Sequence, residues 1–522
     1  MDNYSVQNEQ NTEDNGEFVF VPTKKPKRNK LPLIAGALVA IALIITLIAL
    51  VFSGSDVIIP TESDLSAVYD ADSGKTKFYA GGKLLPLTVD GEIEEEMTSM
   101  DGSVMVFIIS EEKDDKTEEI VYYTDGKEVR KIATEVSDLI IAPNGKSCVY
   151  LMKDEENEEH TAYKLFLYNF KGGEGVQVSK KVPSSSAYTI SADGESVLYN
   201  EYVSGSTDTK MYLYKDGASE PLGKNLIPMG VSEDAKYVYY YDVEKNVTYV
   251  RNAKDERIKI ANEQCALIFN YDGSEVLTQT DNGVYVMKDG DEATRTKIAK
   301  KISSVSFQGV AGMAQSSSKA GYYGVKTFAG MSYVDYDDGD KKLYRLDKNY
   351  ERIEIAKDVE DLQLSGDGSK LYLVRDDDLY CGKPNGDASD FDRIAADVDS
   401  YKISQDGSIC YYLDDDDTLY YVDGSKTGAK IAEDVDIYCV TADGYVLFIT
   451  DRSSETYEGT LYSAYKDGGK ERVADDVYSV YATNHGTYYK TKEVSGDGTS
   501  TTYTVYGASK KANFEKIFTY ED

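Results

Sequence analysis

The sequence predicts an all-β chain built from repeated sheets and preceded by a single transmembrane α-helix. A turn phrase of the form Ser-x-Asp-Gly recurs along most of the 522 residues. Short strands with alternating apolar and polar residues follow its copies, and no stretch after the N-terminal apolar run shows convincing 3.6-residue periodicity. That run, residues 31–52, carries no charge and is long enough to cross a bilayer as a helix.

The turn phrase is clearest in three copies, which begin at Ser191, Ser365 and Ser404. Its Asp-Gly pair suits the left-handed backbone of a tight hairpin. The turn glycines are at positions 102, 145, 194, 273, 368, 407 and 444, with degenerate copies at Ala235 and Gly486. Copies are 37–49 residues apart, except for one interval of 95 residues whose missing turn must fall within 306–330. Short strands repeating at this length are typical of β-propeller blades.

Two further signals follow each turn in a fixed order. A Leu-Tyr strand comes first, as at 211–217 and 419–424, and then a strand reading Ile-Ala-x-Asp-Val, as at 355–359, 394–398 and 431–435. We therefore expect four-stranded blades, with the strand before the turn innermost and the Ile-Ala strand outermost. About ten periods exceed the four to eight blades of most propellers, so one large ring and two rings both satisfy the sequence.

The predicted domain organisation has four parts. They are a disordered cytoplasmic tail (1–30), a transmembrane helix (31–52), a linker with a leading β-hairpin (53–95) and the repeat region (96–522). The stretch 306–330 is rich in Gly, Ser and Ala, and is either a seam between domains or a long loop inserted in one blade. The hairpin at 75–87 is a candidate to close a ring by pairing with the C-terminal strands.

The apolar run spans about 33 Å as a helix, enough for the hydrocarbon core of a membrane. Five basic residues precede it, namely Lys24, Lys25, Lys27, Arg28 and Lys30. Because positive charge keeps the adjoining end in the cytoplasm, we expect a single-pass cell-membrane anchor with the repeat region outside. The alternative is a cleaved signal peptide, but the run is longer than a usual h-region and no convincing small-x-small cleavage site follows.

Composition excludes several function classes. The formal charge of −35 repels phosphate backbones and argues against nucleic-acid binding. There are 45 Tyr and no Trp, which fits half-buried strands. The five cysteines form no CxxC pair, and Cys148 and Cys410 are predicted to be buried core residues. The two histidines, His160 and His485, are interpreted as surface residues.

The phrase Ser-x-Asp-Gly-[Ser/Lys]-x-apolar-x-Tyr resembles the repeat of TolB-type (PD40, WD40-like) propellers, in which Ser-Pro-Asp-Gly-Lys is common. Ala142-Pro143-Asn144-Gly145-Lys146 comes closest to that form. The resemblance covers about residues 96–522. It implies the fold, and it implies a binding platform or the gating domain of a prolyl-oligopeptidase-like hydrolase. True WD40 repeats are not supported, because the chain has no Trp.

No catalytic motif accompanies the repeats. A Gly-x-Ser-x-Gly nucleophile elbow is missing from the sequence, and we expect no enzyme and no cofactor. Two carboxylate clusters faintly resemble calcium loops: Asp335, Asp337 and Asp340, and Asp414 with Asp416. Neither has the EF-hand spacing with Glu at position twelve, so we interpret both as solvated hairpin tips.

The acidic residue of the Ile-Ala-x-Asp-Val strand recurs at Glu135, Asp358, Asp397, Asp434 and Asp476. Equivalent positions in a propeller are related by rotation about the ring axis, so these carboxylates should form an arc on the face that bears the connections between blades. One hypothesis is that a basic or cationic partner docks there. The alternative is that Asp merely starts the connecting loop.

The sequence as a whole favours a membrane-anchored, extracytoplasmic propeller that binds or scaffolds a protein partner at the cell envelope. A second interpretation is recognition of a cell-wall glycan or peptide, with Tyr side chains as platforms for sugars. Most Tyr fall on strands rather than loops, which weakens that interpretation. A carboxylate-dependent hydrolase or lyase is the third.

Overall fold

The computed structural model describes residues 65–521. Short stretches within that range are excepted, namely 71–72, 100–101, 114–115, 154–161, 185–186, 271, 307–312, 315–320, 324–326, 338–339, 366–368, 385, 387, 405–406, 423–427, 442, 467–468, 483–485, 496–499 and 509–512. The predicted tail and membrane helix lie outside the described residues. Within them, no helix has the length and apolarity to cross a membrane. Their helical content is two 3-10 turns, Glu292–Thr294 and Ala388–Asp390, so the all-β prediction is confirmed for the repeat region.

The strands form one three-stranded sheet, called the closing sheet, and ten four-stranded blades; two extra strands join the sheet of blade 5, and blades 9 and 10 share one seven-stranded sheet. The closing sheet comprises β1 (Ser66–Asp70), β2 (Lys75–Ala80) and β3 (Lys83–Asp90). Blade 1 comprises β4 (Ile93–Thr98), β5 (Met105–Lys113), β6 (Lys116–Thr124) and β7 (Val129–Thr134). Blade 2 comprises β8 (Val136–Ile141), β9 (Ser147–Lys153), β10 (Tyr163–Asn169) and β11 (Glu174–Val182). Blade 3 comprises β12 (Tyr188–Ile190), β13 (Val197–Tyr202), β14 (Thr209–Lys215) and β15 (Ala218–Lys224). Blade 4 comprises β16 (Leu226–Val231), β17 (Val238–Asp242), β18 (Val247–Arg251) and β19 (Arg257–Ala261). Blade 5 comprises β20 (Ala266–Phe269), β21 (Glu275–Thr280), β22 (Gly283–Lys288) and β23 (Thr296–Ala299).

The second half of the chain continues the series. Blade 6 comprises β24 (Ile302–Ser306), β27 (Ser332–Asp337), β28 (Asp340–Leu346) and β29 (Arg352–Lys357), and between its first two strands lie β25 (Met313–Ala314) and β26 (Gly321–Tyr323). Blade 7 comprises β30 (Val359–Leu364), β31 (Leu371–Arg375), β32 (Asp378–Gly382) and β33 (Asp392–Ala395). Blade 8 comprises β34 (Val398–Ile403), β35 (Cys410–Asp414), β36 (Leu419–Val422) and β37 (Ala429–Ala432). Blade 9 comprises β38 (Val435–Val440), β39 (Val446–Thr450), β40 (Gly459–Tyr465) and the first half of β41 (Gly469–Ala482). Blade 10 comprises the second half of β41, β42 (Thr487–Val494), β43 (Thr501–Ala508) and β44 (Glu515–Glu521).

Each blade is an antiparallel meander in chain order, as the three sequence signals predict. The first strands of neighbouring blades contact one another, for example β4 with β8, β12 with β16, and β24 with β30. These first strands are therefore innermost, and the strands that carry the Ile-Ala signal are outermost. The prediction of four strands per period and of their radial order is confirmed.

The turn phrase closes its own hairpin through the serine. At Ser404 the main-chain carbonyl accepts the Gly407 N–H at 2.8 Å. The Ser404 hydroxyl oxygen accepts the Ile409 N–H at 3.1 Å. Gly407 has φ +62°, a left-handed conformation that glycine adopts without steric cost. The same two contacts occur at Ser191, so the recurring Ser and Gly are explained by local backbone chemistry.

In some blades a tyrosine lies seven residues after the serine and ties its blade to the turn of the next one. In three places its hydroxyl donates to the turn-glycine carbonyl of the following blade. The pairs are Tyr239 with Gly273 at 2.9 Å, Tyr372 with Gly407 at 2.8 Å and Tyr411 with Gly444 at 3.0 Å. Seven of the largest fully buried side chains are tyrosines, so the abundance of Tyr serves the packing between blades.

The blades form one closed ring. Eleven apolar clusters fill the spaces between consecutive sheets, one cluster for each interface. On β2 of the closing sheet, Phe78 contacts Phe107 of blade 1 with ring centroids 5.4 Å apart. The next residue, Tyr79, points to the opposite face and contacts Tyr488 of blade 10 at 5.3 Å. The series of interfaces thus returns to its start, which selects the single large ring of the two predicted arrangements.

The leading hairpin closes the ring in a different way from the one expected. It extends to three strands and pairs with no other sheet among the described residues. Instead, its two faces pack between blades 10 and 1, and the Tyr79 and Tyr481 hydroxyls lie 3.1 Å apart. Residues in a pleated strand alternate between faces, so adjacent large rings on β2 suffice to fill both interfaces.

The stretch 306–330 connects the first two strands of blade 6, where the missing turn was expected. Its strand β26 pairs in parallel with β20, the innermost strand of blade 5. One apolar cluster joins blade 5 to blade 6 across this stretch and includes Val286, Phe328 and Tyr333. The buried Glu275 carboxylate accepts the Thr327 hydroxyl at 2.7 Å and the Phe328 N–H at 2.5 Å, which holds the end of the connection on blade 5.

Candidate functional site

The five acidic residues singled out in the sequence occupy one structural position. Each lies between the outermost strand of one blade and the innermost strand of the next, at the junction between the two. Their φ angles are positive: Glu135 58°, Asp358 57°, Asp397 53°, Asp434 55° and Asp476 54°. All five are exposed, and none has an ion pair with another described residue. We call the side of the ring that bears them the junction face.

The left-handed backbone gives a local reason for Asp at this position. Asp and Asn tolerate positive φ better than other residues that carry a Cβ. Asn225, with φ 51°, occupies the same place between blades 3 and 4. The left-handed turn therefore favours Asp or Asn without requiring a negative charge, and Glu135 shows that a longer side chain is also accepted there. The docking hypothesis for these residues stays a prediction.

The structure brings four of the five residues together. Asp358, Asp397, Asp434 and Asp476 occupy the four consecutive junctions from blade 6 to blade 10. Glu135 is apart from them, at the junction of blades 1 and 2, beyond the closing sheet. We call the four consecutive residues the acidic arc.

A second acidic position enlarges the arc. Two residues after the left-handed position, at the start of the innermost strand, blades 7, 8 and 9 carry the exposed residues Glu360, Asp399 and Asp436. Sequence reasoning missed this position, although the pattern Asp-Val-[Glu/Asp] was present as a signal. Left-handed backbone does not explain the acidic residue at this second position, because it lies in a strand.

Hairpin tips add carboxylates to the same face. The β31–β32 tip carries Asp376 and Asp377, and the Val398 N–H of blade 8 donates to the Asp377 carbonyl at 2.7 Å. At the β35–β36 tip, the Asp415 N–H donates to the Asp397 carbonyl at 3.2 Å. These hydrogen bonds place the acidic tips directly beside the acidic arc.

Of the two carboxylate clusters interpreted as solvated hairpin tips, that interpretation is wrong for Asp335. Asp335 is buried, and its carboxylate accepts Arg352 at 2.7 Å and the Lys300 N–H at 2.9 Å. The side chains of Asp337 and Asp340 are outside the described residues. Asp414 accepts the N–H groups of Asp416 and Thr418 at 3.0 and 2.9 Å, which forms the tip of a solvated hairpin. No group of three or more potential ligands occurs in the part of the chain that the structure describes.

Blade 1 carries three carboxyl groups with raised pKa values. Glu95 and Glu96 lie on β4, the innermost strand, and Glu119 lies on β6. Burial among protein atoms is the main reason that the pKa of each group is raised, and Asp138 and Glu119 add repulsion on Glu95. All three side chains are also exposed to solvent. This cluster was not predicted, because it depends on how blades 1 and 2 meet.

In the part of the chain that the structure describes, burial raises the pKa of several tyrosine hydroxyls and cysteine thiols and so does not activate them as nucleophiles. Burial raises the pKa of Cys148 above its usual range and the pKa of Cys265 to about 11, so both stay protonated thiols at neutral pH. Cys148 and Cys410 are fully buried, which confirms the prediction of core cysteines. His160 and His485 lie outside the described residues.

Comparison with known proteins adds little beyond the fold. No family model matches the chain, and no curated protein matches it. Solved structures that resemble it include a eukaryotic initiation factor, at 10% identity and TM-score 0.41, covering 88% of this chain and 98% of that one. They also include the β-propeller domain of the Trilobed protease from Pyrococcus furiosus, at 14% identity and TM-score 0.24, covering 73% and 97%. A third is the β-propeller domain of Cps50 (Swd1) from Myceliophteria thermophila, at 9% identity and TM-score 0.25, covering 49% and 88%. At these identities and TM-scores, the propeller assignment rests on the sheets themselves.

Proposed function

We propose that this protein is a membrane-anchored, extracytoplasmic binding module that docks a basic protein partner at the cell envelope through its junction face. The observation that carries the proposal is the acidic arc. Four exposed carboxylates repeat at equivalent places in consecutive junctions, and acidic strand starts and hairpin tips surround them. Rings of one sign of charge raise the local concentration of oppositely charged partners and orient their approach.

The membrane part of the proposal rests on the sequence. The uncharged run 31–52 and the basic residues before it are the supporting features, and both lie outside the described residues. An N-terminus in the cytoplasm would put the ring on the other side of the membrane. The TolB-type resemblance, which rests on the turn phrase, is compatible with this location.

The fully buried tyrosines do not support the alternative of glycan recognition. Seven tyrosines are fully buried between blades, and three of these, Tyr239, Tyr372 and Tyr411, donate their hydroxyls to turn carbonyls. They are therefore not available as platforms for sugars. A hydrolase or lyase would need two carboxylates converging on one pocket, and the raised pKa values of Glu95 and Glu96 alone do not specify such chemistry.

The test is proximity crosslinking of the full-length protein in its own cells, followed by mass spectrometry. The decisive variant changes Asp358, Asp397, Asp434 and Asp476 to Asn. Asn keeps the left-handed backbone, as Asn225 shows, and removes four charges. A matched control makes the same change at four turn aspartates on the opposite face, namely Asp193, Asp234, Asp272 and Asp443.

The proposal expects one dominant envelope protein that is crosslinked to the parent and to the control variant, but not to the acidic-arc variant. Equal crosslinking of the parent, the control variant and the acidic-arc variant would show that the acidic arc is not needed for docking. Retention of the protein on purified cell wall, with no protein partner, would favour the glycan interpretation instead.

A further inference from the structure

An open cavity of about 650 Å³ lies where blades 2 and 3 meet. Its walls come from β11, the outermost strand of blade 2, and from the ends of β13 and β14 that reach the junction face. The lining includes Lys180, Lys181, Lys210, Glu201, Tyr202 and Tyr212. A cavity of this size matches the range for small-molecule sites in proteins.

The wall from blade 2 has an irregularity that most blades lack. The pairing of β10 with β11 shifts register twice, once on each side of the pair Leu165–Ser179. The corresponding pairing shifts only once in every other blade except blade 9. Such bulges redirect side chains and recur beside binding sites. Here they place Lys180 and Lys181, both exposed, along the rim of the cavity.

Contacts across the interface hold the cavity in shape. The buried Ser179 hydroxyl donates to Glu201 of blade 3 at 2.7 Å. Lys181 Nζ donates to the Ser204 hydroxyl at 3.1 Å. On the floor, Tyr212 stacks on Tyr199 with centroids 5.6 Å apart, which fixes its ring.

The charge of the cavity is opposite to that of the molecule. Three lysines and one glutamate line it, in a chain whose formal charge is −35. None of the three lysines has an ion pair with another described residue, and Lys210 Nζ lies 5.2 Å from the centre of the Tyr212 ring. Lysines that outnumber the carboxylates beside them form a suitable site for a carboxylate or phosphate group, which they bind as point charges.

We infer that this cavity binds a sugar-sized anion, a saccharide that bears a carboxylate or a phosphate group. The lysines would receive the anionic group, and the half-buried Tyr202 and Tyr212 with the serine hydroxyls would contact the uncharged part of the ligand. The inference is independent of the docking function of the acidic arc, which lies at other junctions of the ring.

Titration calorimetry on the full-length protein in nonionic detergent tests the inference. The probes are a uronic-acid disaccharide, a hexose 6-phosphate, inorganic phosphate and an uncharged disaccharide. Three variants accompany the parent: Lys180→Gln with Lys181→Gln, Glu201→Gln alone, and a control with Lys131→Gln and Lys259→Gln. The control lysines are exposed on the outermost strands of blades 1 and 4, away from any part of the cavity.

We expect at least one of the two anionic saccharides to bind, with affinity reduced about tenfold or more in the double-lysine variant and unchanged in the control. The Glu201→Gln variant should bind the anionic saccharide more tightly, because it removes a repulsive charge and keeps an acceptor for the Ser179 hydroxyl. This variant is informative because a gain in affinity cannot arise from misfolding. The inference fails if neither anionic saccharide binds, if the uncharged disaccharide binds equally, or if the control loses as much affinity as the double-lysine variant. Inorganic phosphate binding as tightly as both saccharides would refute the saccharide assignment.

Discussion

The hydrogen bond from Tyr372 to the next blade makes a quantitative prediction. Tyr372 is fully buried, and its hydroxyl donates to the Gly407 carbonyl at 2.8 Å. Tyr372→Phe keeps the ring and its packing but leaves a buried carbonyl without this donor. An unsatisfied buried group costs about 1–3 kcal/mol, so the free energy of unfolding should fall by about that amount. A matched control is Tyr241→Phe, whose hydroxyl donates to Asn246 at 2.6 Å on the exposed surface.

Urea unfolding followed by far-ultraviolet circular dichroism compares the two variants, and hydrogen exchange locates the change. We expect Tyr241→Phe to stay within about 0.5 kcal/mol of the parent, as surface substitutions usually do. In Tyr372→Phe, amide exchange should accelerate in the turn that contains Gly407 and in few other places. Equal stability of both variants, or faster exchange spread evenly over the ring, would refute the reasoning.

Three further changes test the turn, the ring closure and the raised pKa of Glu96. Gly407→Ala should destabilise the protein by at least about 1–2 kcal/mol in urea unfolding, because φ is +62° and the new Cβ would lie 2.1 Å from the Cβ of Ser365. Tyr79→Ala should cost about 3–5 kcal/mol and speed limited proteolysis of the closing sheet, because it removes the ring contact with Tyr488. Glu96→Gln should raise the melting temperature at pH 7, because burial raises the pKa of Glu96 and ionisation then destabilises the fold. That difference should disappear as pH falls below the usual glutamate value of 4.5, where both forms are neutral.

Each of these three has a result that contradicts it. The control for Gly407→Ala is Ala235→Gly, because Ala235 already has φ 57° at the equivalent turn of blade 4. Ala235→Gly should therefore change the free energy of unfolding little. If both variants lost the same stability, steric strain at Gly407 would not be the cause. Unchanged proteolysis of Tyr79→Ala would mean that the closing sheet is held elsewhere. A stability gain in Glu96→Gln that persists at pH 3 would show that its cause is not ionisation.

The repeat unit could be predicted because its determinants are local. Ser404 and Gly407 form their turn within six residues, and alternation along each strand assigns its two faces. The position of Asp397 at a blade junction was predicted for the same reason, since the Ile-Ala-x-Asp-Val signal ends one strand and starts the next. Its left-handed backbone was not foreseen, although Asp at a strand end is a recognised signal for it.

The candidate sites were predicted only in part. The acidic arc was predicted because equivalent positions in the blades are related by rotation about the ring axis. The second acidic position, which includes Asp399 and Asp436, was not predicted. The cationic cavity could not be seen, because Lys181 and Lys210 come from different blades and meet only when β11 bulges. The raised pKa values on blade 1 likewise depend on neighbours that are distant in the chain.

The sequence by itself determined the strands, the turns and their order within a blade. These features depend on hydrogen bonds and side-chain alternation over fewer than fifty residues, which a repeated phrase records directly. Only the tertiary structure decided that the blades form one ring, that Phe78 and Tyr79 close it from opposite faces of one strand, and that a cationic cavity lies beside blade 3. Those outcomes depend on which sheets pack together over the whole length of the chain, and similar repeats leave that choice open until every interface is filled.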